Sequence, residues 1–214
     1  MYKMNEELAE FVGVFIGDGC LSEYARKNRP SNVRVILFTG SWEKDSDYYQ
    51  RIIKDISYKY FKYGIRIYHR KDDNTVRFFI TNKNAISFLI ALGYNFGPKS
   101  ETVFILSVIF NNKNCSLACI RGIFNTDGCI YKRYNKMYRN HKKLYSKYKV
   151  VQFKSNSYLL IKQIDLILKR ENILVNKIIK DKKASVLRIT SQKDIDKFIS
   201  IVGMNHNYHI NRIK

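Results

Sequence analysis

The stretch FVGVFIGDGC (residues 11–20) returns 109 residues later as IRGIFNTDGC (120–129). Both times an apolar run ends in one carboxylate, Asp18 or Asp127, followed by glycine. The same offset sets FFITNKNAISFL (78–89) on LRITSQKDIDKF (187–198), with Ile80 on Ile189, Thr81 on Thr190 and Ile86 on Ile195. LFTGS (37–41) and QFKSN (152–156) correspond once Phe38 is matched to Phe153, six residues out of step, and Gly93 and Gly203 close the two copies. A two-helix hairpin array is one explanation, but so long a period favours duplicated domains. The chain therefore divides into an N-terminal half (1–93), a connector (94–114) that reads as structural, and a C-terminal half (115–214).

Each half shows the same alternation of periods. Residues 5–17 and 115–126 have helical apolar spacing. Residues 33–40 and 148–154 are rich in β-branched and aromatic types and read as strands. Helical periodicity returns over 44–62 and 157–171. Two shorter strands follow, 64–70 with 75–81 around the turn-like KDDN, and 173–180 with 185–190. Helices over 83–92 and 192–202 close the halves. The expectation is an α+β fold, a doubled αββαββα.

Charge narrows the partner. The chain has 39 Lys+Arg against 18 Asp+Glu, a net +21, which favours a polyanion, either nucleic acid or a membrane surface. A bias toward Lys and Asn contributes to such a balance, yet it would not place Arg among tyrosines. No run of about 18 apolar residues exists and acids interrupt MYKMNEELAEF, so neither a membrane span nor a secretory leader is expected. The cysteines at 20, 115, 119 and 129 lack Cys-x-x-Cys spacing, and the four histidines complete no zinc pattern. Reduced thiols in an intracellular protein follow, with His206 and His209 in an exposed polar tail.

The acids invite closer attention. Gly13 and Gly17 are four apart, as are Gly122 and Thr126, so each pair lies on one helix face. Small residues there let two helix backbones approach closely, which would bring Asp18 and Asp127 side by side. Two carboxylates at the negative ends of two helix dipoles repel unless cations lie between them. Hard divalent ions are held by carboxylate, carbonyl and water oxygens, and metal-bound acids on a basic surface suit phosphodiester cleavage. A lone Asp-Gly after a helix is ordinarily a cap. Two copies, each after a small-x-x-x-small helix, point the other way.

FVGVFIGDG and IRGIFNTDG resemble the paired motifs of the LAGLIDADG homing endonucleases, single-chain type, over essentially the whole chain. Gly13 and Gly122 fall on the motif's first glycine, Asp18 and Asp127 on its final acid. Ile16 and Asn125 replace its first, non-catalytic Asp, and Arg121 takes a small-residue position. The resemblance implies two antiparallel four-stranded sheets forming a DNA-binding saddle, with the motif helices packed at its centre in a pseudo-twofold monomer. It implies that Asp18 and Asp127, with the carbonyls of Gly17 and Thr126, ligate Mg²⁺ (or Mn²⁺) and cut both DNA strands across the minor groove, leaving short 3′ overhangs. Lys154 and Arg188 take the places of the family's assisting basic residues, with Thr39 or Gly40 and Phe79 as their counterparts. A surface Lys154 without catalytic role fits equally well.

The stretch YKRYNKMYRNHKKLYSKYK (131–149) has six Lys, two Arg, five Tyr and no acid. It stands where the first half has LSEYARKNRPSNVR (21–34), and both read as the long first hairpins of two sheets. A twisted antiparallel ribbon enters the major groove, where base edges are read, while Lys and Arg neutralise phosphates. The candidates for DNA contact are Arg26, Lys27, Arg29, Arg34, Arg66, Tyr68, Arg70, Arg77, Lys132, Arg133, Arg139, Lys147, Lys149, Gln152, Lys177 and Lys180. Trp42 reads as a core anchor. Competing readings are a non-cleaving protein of this fold, either an RNA-binding intron maturase or a DNA-binding regulator, and a basic structural RNA-binding protein. Loss of an acid would mark the former, and the latter needs no symmetric acids. With the first motif near the N-terminus, a free-standing, intron-encoded enzyme is expected rather than one embedded in an intein.

Overall fold

The computed structural model describes the backbone of residues 2–25, 32–138 and 141–213, and their side chains outside 134–147 and 213. Arg26, Lys27, Arg29 and Arg139, and the side chain of Lys147, lie outside the described residues.

The first half begins with α1 (Glu6–Asp18), capped by Asn5, whose side chain accepts from the Leu8 amide at 3.0 Å. Strands β1 (Gly19–Tyr24) and β2 (Val33–Ser41) follow, then α2 (Trp42–Tyr48), a π-helical turn (Tyr49–Ile53) and α3 (Lys54–Phe61). Strands β3 (Ile67–Arg70) and β4 (Thr75–Ile80) and helix α4 (Lys83–Ala91) complete it. A short α5 (Ser107–Phe110) interrupts the connector. The order then repeats as α6 (Lys113–Asp127), β5 (Gly128–Tyr138), β6 (His141–Ser155), α7 (Tyr158–Arg170), β7 (Ile179–Asp181), β8 (Ala184–Ile189) and α8 (Gln192–Ile201). Helix α9 (Asn207–Ile213) has no counterpart in the first half.

Two four-stranded antiparallel sheets result, ordered β1-β2-β4-β3 and β5-β6-β8-β7. Their registers explain the six-residue slip in the repeat. Gly19 pairs with Phe38 and Gly128 with Phe153, so the two phenylalanines are equivalent and the first hairpin of the second half is longer. Gly93 and Gly203 both have left-handed backbones (φ 97° and 78°), the conformation that ends a helix without Cβ strain.

Alternation along the strands sorts their two faces. Ile36, Phe38, Val76, Phe78 and Ile80 are buried on one face of the first sheet, and Val151, Phe153, Leu187 and Ile189 on one face of the second. Motif-helix phenylalanines cover them, with Phe11 and Phe38 centroids 5.8 Å apart and Phe124 and Phe153 5.5 Å apart. Trp42 is only partly buried against this core and stacks on His69 at 4.2 Å.

Several sequence expectations change, among them the strand read over 64–70, which begins only at Ile67. The strand read over 173–180 is reduced to Ile179–Asp181, since 173–178 run beside β8 with few ladder bonds. The tail histidines are not exposed: His206 is 1% and His209 4% accessible, because α9 folds back on α2 and β5. The connector is more than a spacer. It contributes Val103, Ile105, Leu106 and Ile109 to the core, and a lysine to the centre of the molecule.

Candidate active site

The two motif helices cross where their glycines lie. A Cβ on Gly13 would stand 2.1 Å from the Cys119 carbonyl oxygen, and one on Gly122 would stand 2.3 Å from that of Glu10. A Cβ on Gly17 would lie 2.1 Å from Thr126 Oγ1 and 3.5 Å from Asp127 Cγ. Backbone therefore rests on backbone, and the C-terminal ends of α1 and α6 come together with their acids. Neither helix has a basic residue in its last turn to offset the dipole.

Electrostatics register the strain. Burial pushes the Asp18 carboxyl well above the usual carboxylate range, and the Asp127 charge pushes it further, while a hydrogen bond from Tyr49 acts the other way. Burial likewise raises Asp127. Tyr49 is fully buried, and its phenol is pushed well up by burial and by Asp18, so it stays protonated and donates to Asp18 Oδ2.

The cation whose charge acts on both acids is Lys99, from the connector. Its ammonium donates to the carbonyl oxygens of Ile16 and, at 3.2 Å, of Gly17, and lies 5.5 Å from the Phe15 ring centroid. Burial holds its pKa down, while Asp127 and Asp18 pull it up. Lys99 lines a cleft of about 430 Å³ together with Gly17, Asp127 and Lys154. Sequence reasoning missed it: a lysine beside Pro98, 81 positions from Asp18, falls in no repeat and no periodic face.

A second missed group explains Arg121. Its guanidinium donates to Glu10 Oε2 at 2.8 and 2.9 Å and to the Val202 carbonyl at 3.1 Å. Tyr48 and Asn205 donate to Glu10 Oε1 at 3.0 and 2.9 Å, and Asn125 donates to Asn205 Oδ1 at 2.5 Å. The departures from the motif thus tie both helices to α2 and to the C-terminal segment. Breaking so buried a pair costs about 3–5 kcal/mol.

The other expected residues divide by strand register. Tyr68, Arg70, Arg77, Gln152, Lys154 and Arg188 alternate with the buried positions and so share the faces turned away from the helices. These faces are mixed rather than polar, since Leu37 and Phe79 lie among them. Arg66 is exposed just before β3, and Lys177 before β7. Arg34, Lys132, Lys149 and Lys180 fall on the opposite parity, with Lys132 paired to Lys149 beside a register shift in the first hairpin of the second half. Arg34 pairs with Glu23 at 2.9 Å, and Lys180 lies over Tyr158 at 5.6 Å. Arg70 is bound to Asp72 at 2.7 Å, and Lys154 to Asp181 at 2.7 Å. Arg188 donates to Gln152 at 2.8 Å, and Arg133 is exposed on β5. Among the described residues no group of three or more His, Cys, Asp or Glu side chains is placed to hold a metal ion, and no helix is long and apolar enough to cross a membrane.

Residues 114–203 match the family model of the LAGLIDADG-like domain. The replication factor C small subunit of Methanocaldococcus jannaschii is 33% identical over 129 residues, which cover 60% of this chain. The chain spans only 6% of that protein's length. Among solved structures, mesophilic variants of the homing endonuclease I-DmoI superpose with a TM-score of 0.63 at 16% identity, over 94% of this chain and 97% of that one. I-LtrWI bound to its target DNA gives 0.62 at 15% identity, over 96% and 87%. Full-length DUF199/WhiA from Thermatoga maritima gives 0.59 at 18%, over 100% and 61%. I-DmoI itself has been solved with DNA and Mn and with DNA and Ca. At these identities the likeness establishes the fold, and function has to come from the site.

Proposed function

We propose that this chain, which carries a LAGLIDADG-like domain in its C-terminal half and has the fold of the LAGLIDADG homing endonucleases, is a site-specific, divalent-metal-dependent DNA endonuclease. One observation supports this above all: two acids are forced together in the interior of a protein of net charge +21. Folding gains nothing from that repulsion, whereas a cation would relieve it.

The donor set suits a hard ion. Asp18, Asp127 and the carbonyls of Gly17 and Thr126 are all oxygen ligands. Among the described residues no third acid joins them as a ligand, so water and DNA phosphate would complete the shell, as is usual for Mg²⁺. When bound, the ion would supply an activated water and stabilise the leaving oxygen. Each acid would serve one strand. Lys99 would hold the Gly17 carbonyl and offset the carboxylate charge before DNA arrives, and Lys154 would face the phosphate from the cleft wall. Tyr68, Arg70, Arg77, Gln152 and Arg188 would contact DNA from the outward sheet faces. The 1–93 and 115–214 halves would each provide one half-site.

The direct test is cleavage of a randomised duplex library in Mg²⁺. Defined double-strand breaks with short 3′ overhangs are expected, and Ca²⁺ should keep binding while stopping or slowing cutting. Specific binding without cutting in any divalent ion would favour the second reading, a non-cleaving protein of this fold, which the likeness to DUF199/WhiA keeps in view. Lys99→Met is expected to slow single-turnover cutting about 10- to 100-fold and leave duplex affinity unchanged in gel-shift titrations. Duplex affinity itself should fall about 10³- to 10⁵-fold between 50 and 200 mM salt if six to ten phosphates are contacted.

A further inference from the structure

The two halves hold their motif acids differently. In the first, the Tyr49 hydroxyl donates to Asp18 Oδ2. Tyr49 opens the π-helical turn, whose extra residue rotates the helix face. One turn earlier, Asp45 accepts from the Ser41 amide at 2.5 Å and pairs with His206 Nε2 at 3.1 Å. The Tyr208 amide donates to His206 Nδ1 at 3.2 Å, which leaves the proton on Nε2, facing Asp45. The strand makes room for both side chains: a Cβ on Gly40 would lie 2.6 Å from Asp45 Oδ2 and 2.9 Å from the Tyr49 hydroxyl.

Among its described residues the second half has no such arrangement. Helix α7 is α-helical throughout and turns Leu160, Ile161 and Ile164 toward Asp127, across a void too narrow for water. Among the described residues no side chain donates a hydrogen bond to the Asp127 carboxylate. The phenol fixes one Asp18 oxygen and leaves the other free to ligate, whereas Asp127 has α7 hydrocarbon on one side and the Lys99–Lys154 cleft on the other, with no such donor. Outer groups that hold a ligand in this way are worth about 10- to 100-fold in metal affinity or rate.

We propose that Tyr49 is a positioning residue for Asp18 alone, so that the two halves of the site take up metal and cut their strands unequally. For strand cutting this rests on the endonuclease reading; for metal binding it does not.

The test compares wild type, Tyr49→Phe and Gly40→Ala on a duplex with each strand labelled separately. Mn²⁺ uptake is followed in parallel by loss of the free-ion EPR signal. In Tyr49→Phe one strand should be cut about 10- to 100-fold more slowly, so that duplex nicked in the other strand accumulates. The slowed strand should be the one that Asp18→Asn affects most. Mn²⁺ affinity should fall at one site and hold at the other. Gly40→Ala, which crowds the hydroxyl without removing it, should show the same strand preference should Tyr49→Phe fold poorly. Equal slowing of both strands, or of neither, in a wild type that cuts would overturn the proposal and leave the nuclease reading standing. Should the wild type cut nothing, the nuclease reading falls. The Mn²⁺ titration then decides alone, and unchanged uptake in Tyr49→Phe overturns the proposal.

Discussion

Gly122→Ala is expected to lose about 3 kcal/mol of stability, to melt about 6–12 °C lower, and to cut DNA at least about 100-fold more slowly. The cause is geometric. The added methyl would stand 2.3 Å from the Glu10 carbonyl oxygen, 2.8 Å from the Val14 amide nitrogen and 3.0 Å from the Gly13 carbonyl carbon. All three are backbone atoms of the opposing helix, so no side chain can rotate away and α1 and α6 must separate. Separation exposes the core beneath Phe124 and pulls Asp127 away from Asp18, and a displacement near 1 Å is enough to cost about 100-fold in rate. Gly64→Ala is the matched control, since nothing lies within 4 Å of its added methyl and its stability should hold within about 0.5 kcal/mol. Thermal melting and single-turnover cleavage of both variants check the expectation. An unchanged melting point for Gly122→Ala would mean that the helices do not cross as described.

That crossing was legible in the sequence because it depends on spacing. Gly13, Gly17, Gly122 and Thr126 declare a helix face by position alone, and the repeat supplied the second helix. The doubled order of helices and strands followed from the same repeat, while the pairing order β1-β2-β4-β3 was set by contacts that the repeat does not announce. What the sequence left hidden depends on contacts between distant positions with no period to announce them. Lys99 reaches the motif carbonyls from a connector without helical or strand spacing. Glu10 reads as one more of the acids that interrupt MYKMNEELAEF, yet Arg121, 111 positions later, is bound to it. His206 and His209 follow a helix-ending glycine in polar company, which suggests a tail, yet α9 buries them against Tyr48 and Phe124. The π-helical turn at Tyr49 is invisible to apolar periodicity, because one extra residue simply makes a helix face read as slightly ragged.

The burial of His209 has its own electrostatic trace. Its pKa is pulled down to about 4 by burial and by the neighbouring His206, so it is neutral near neutral pH. The proposed DNA site gains no charge from it. The histidine instead packs at 4.9 Å on Phe124, beneath the second acid. The charge that matters is concentrated on Asp18, Asp127 and Lys99, and the first two are held together at a cost.

Asp18→Asn should therefore act in two directions at once. It is expected to abolish double-strand breaks, with a loss of about 10³-fold or more, while raising the melting temperature of the metal-free protein near neutral pH by about 3–6 °C. The sign follows from the carboxyl groups. Folding raises the pKa of Asp18 and of Asp127, so between the unfolded and folded values the native state binds more protons than the unfolded chain. Stability from these groups is fully present at acid pH and is lost as pH rises through that window. Asparagine carries no charge to desolvate, and its carbonyl oxygen still accepts from Tyr49. In melting curves the wild type should lose stability as pH rises above the ordinary carboxylate range more steeply than Asp18→Asn, and Mg²⁺ should stabilise the wild type more than the variant. The same substitution at Asp127 should act alike on cutting, and less on stability, because Asp18 bears the larger combined penalty of burial and like charge. If either single variant still makes double-strand breaks, the acids are not the site. If Asp18→Asn melts lower than wild type in the metal-free state, the carboxylate contributes to folding, and the reason for expecting a cation beside it disappears.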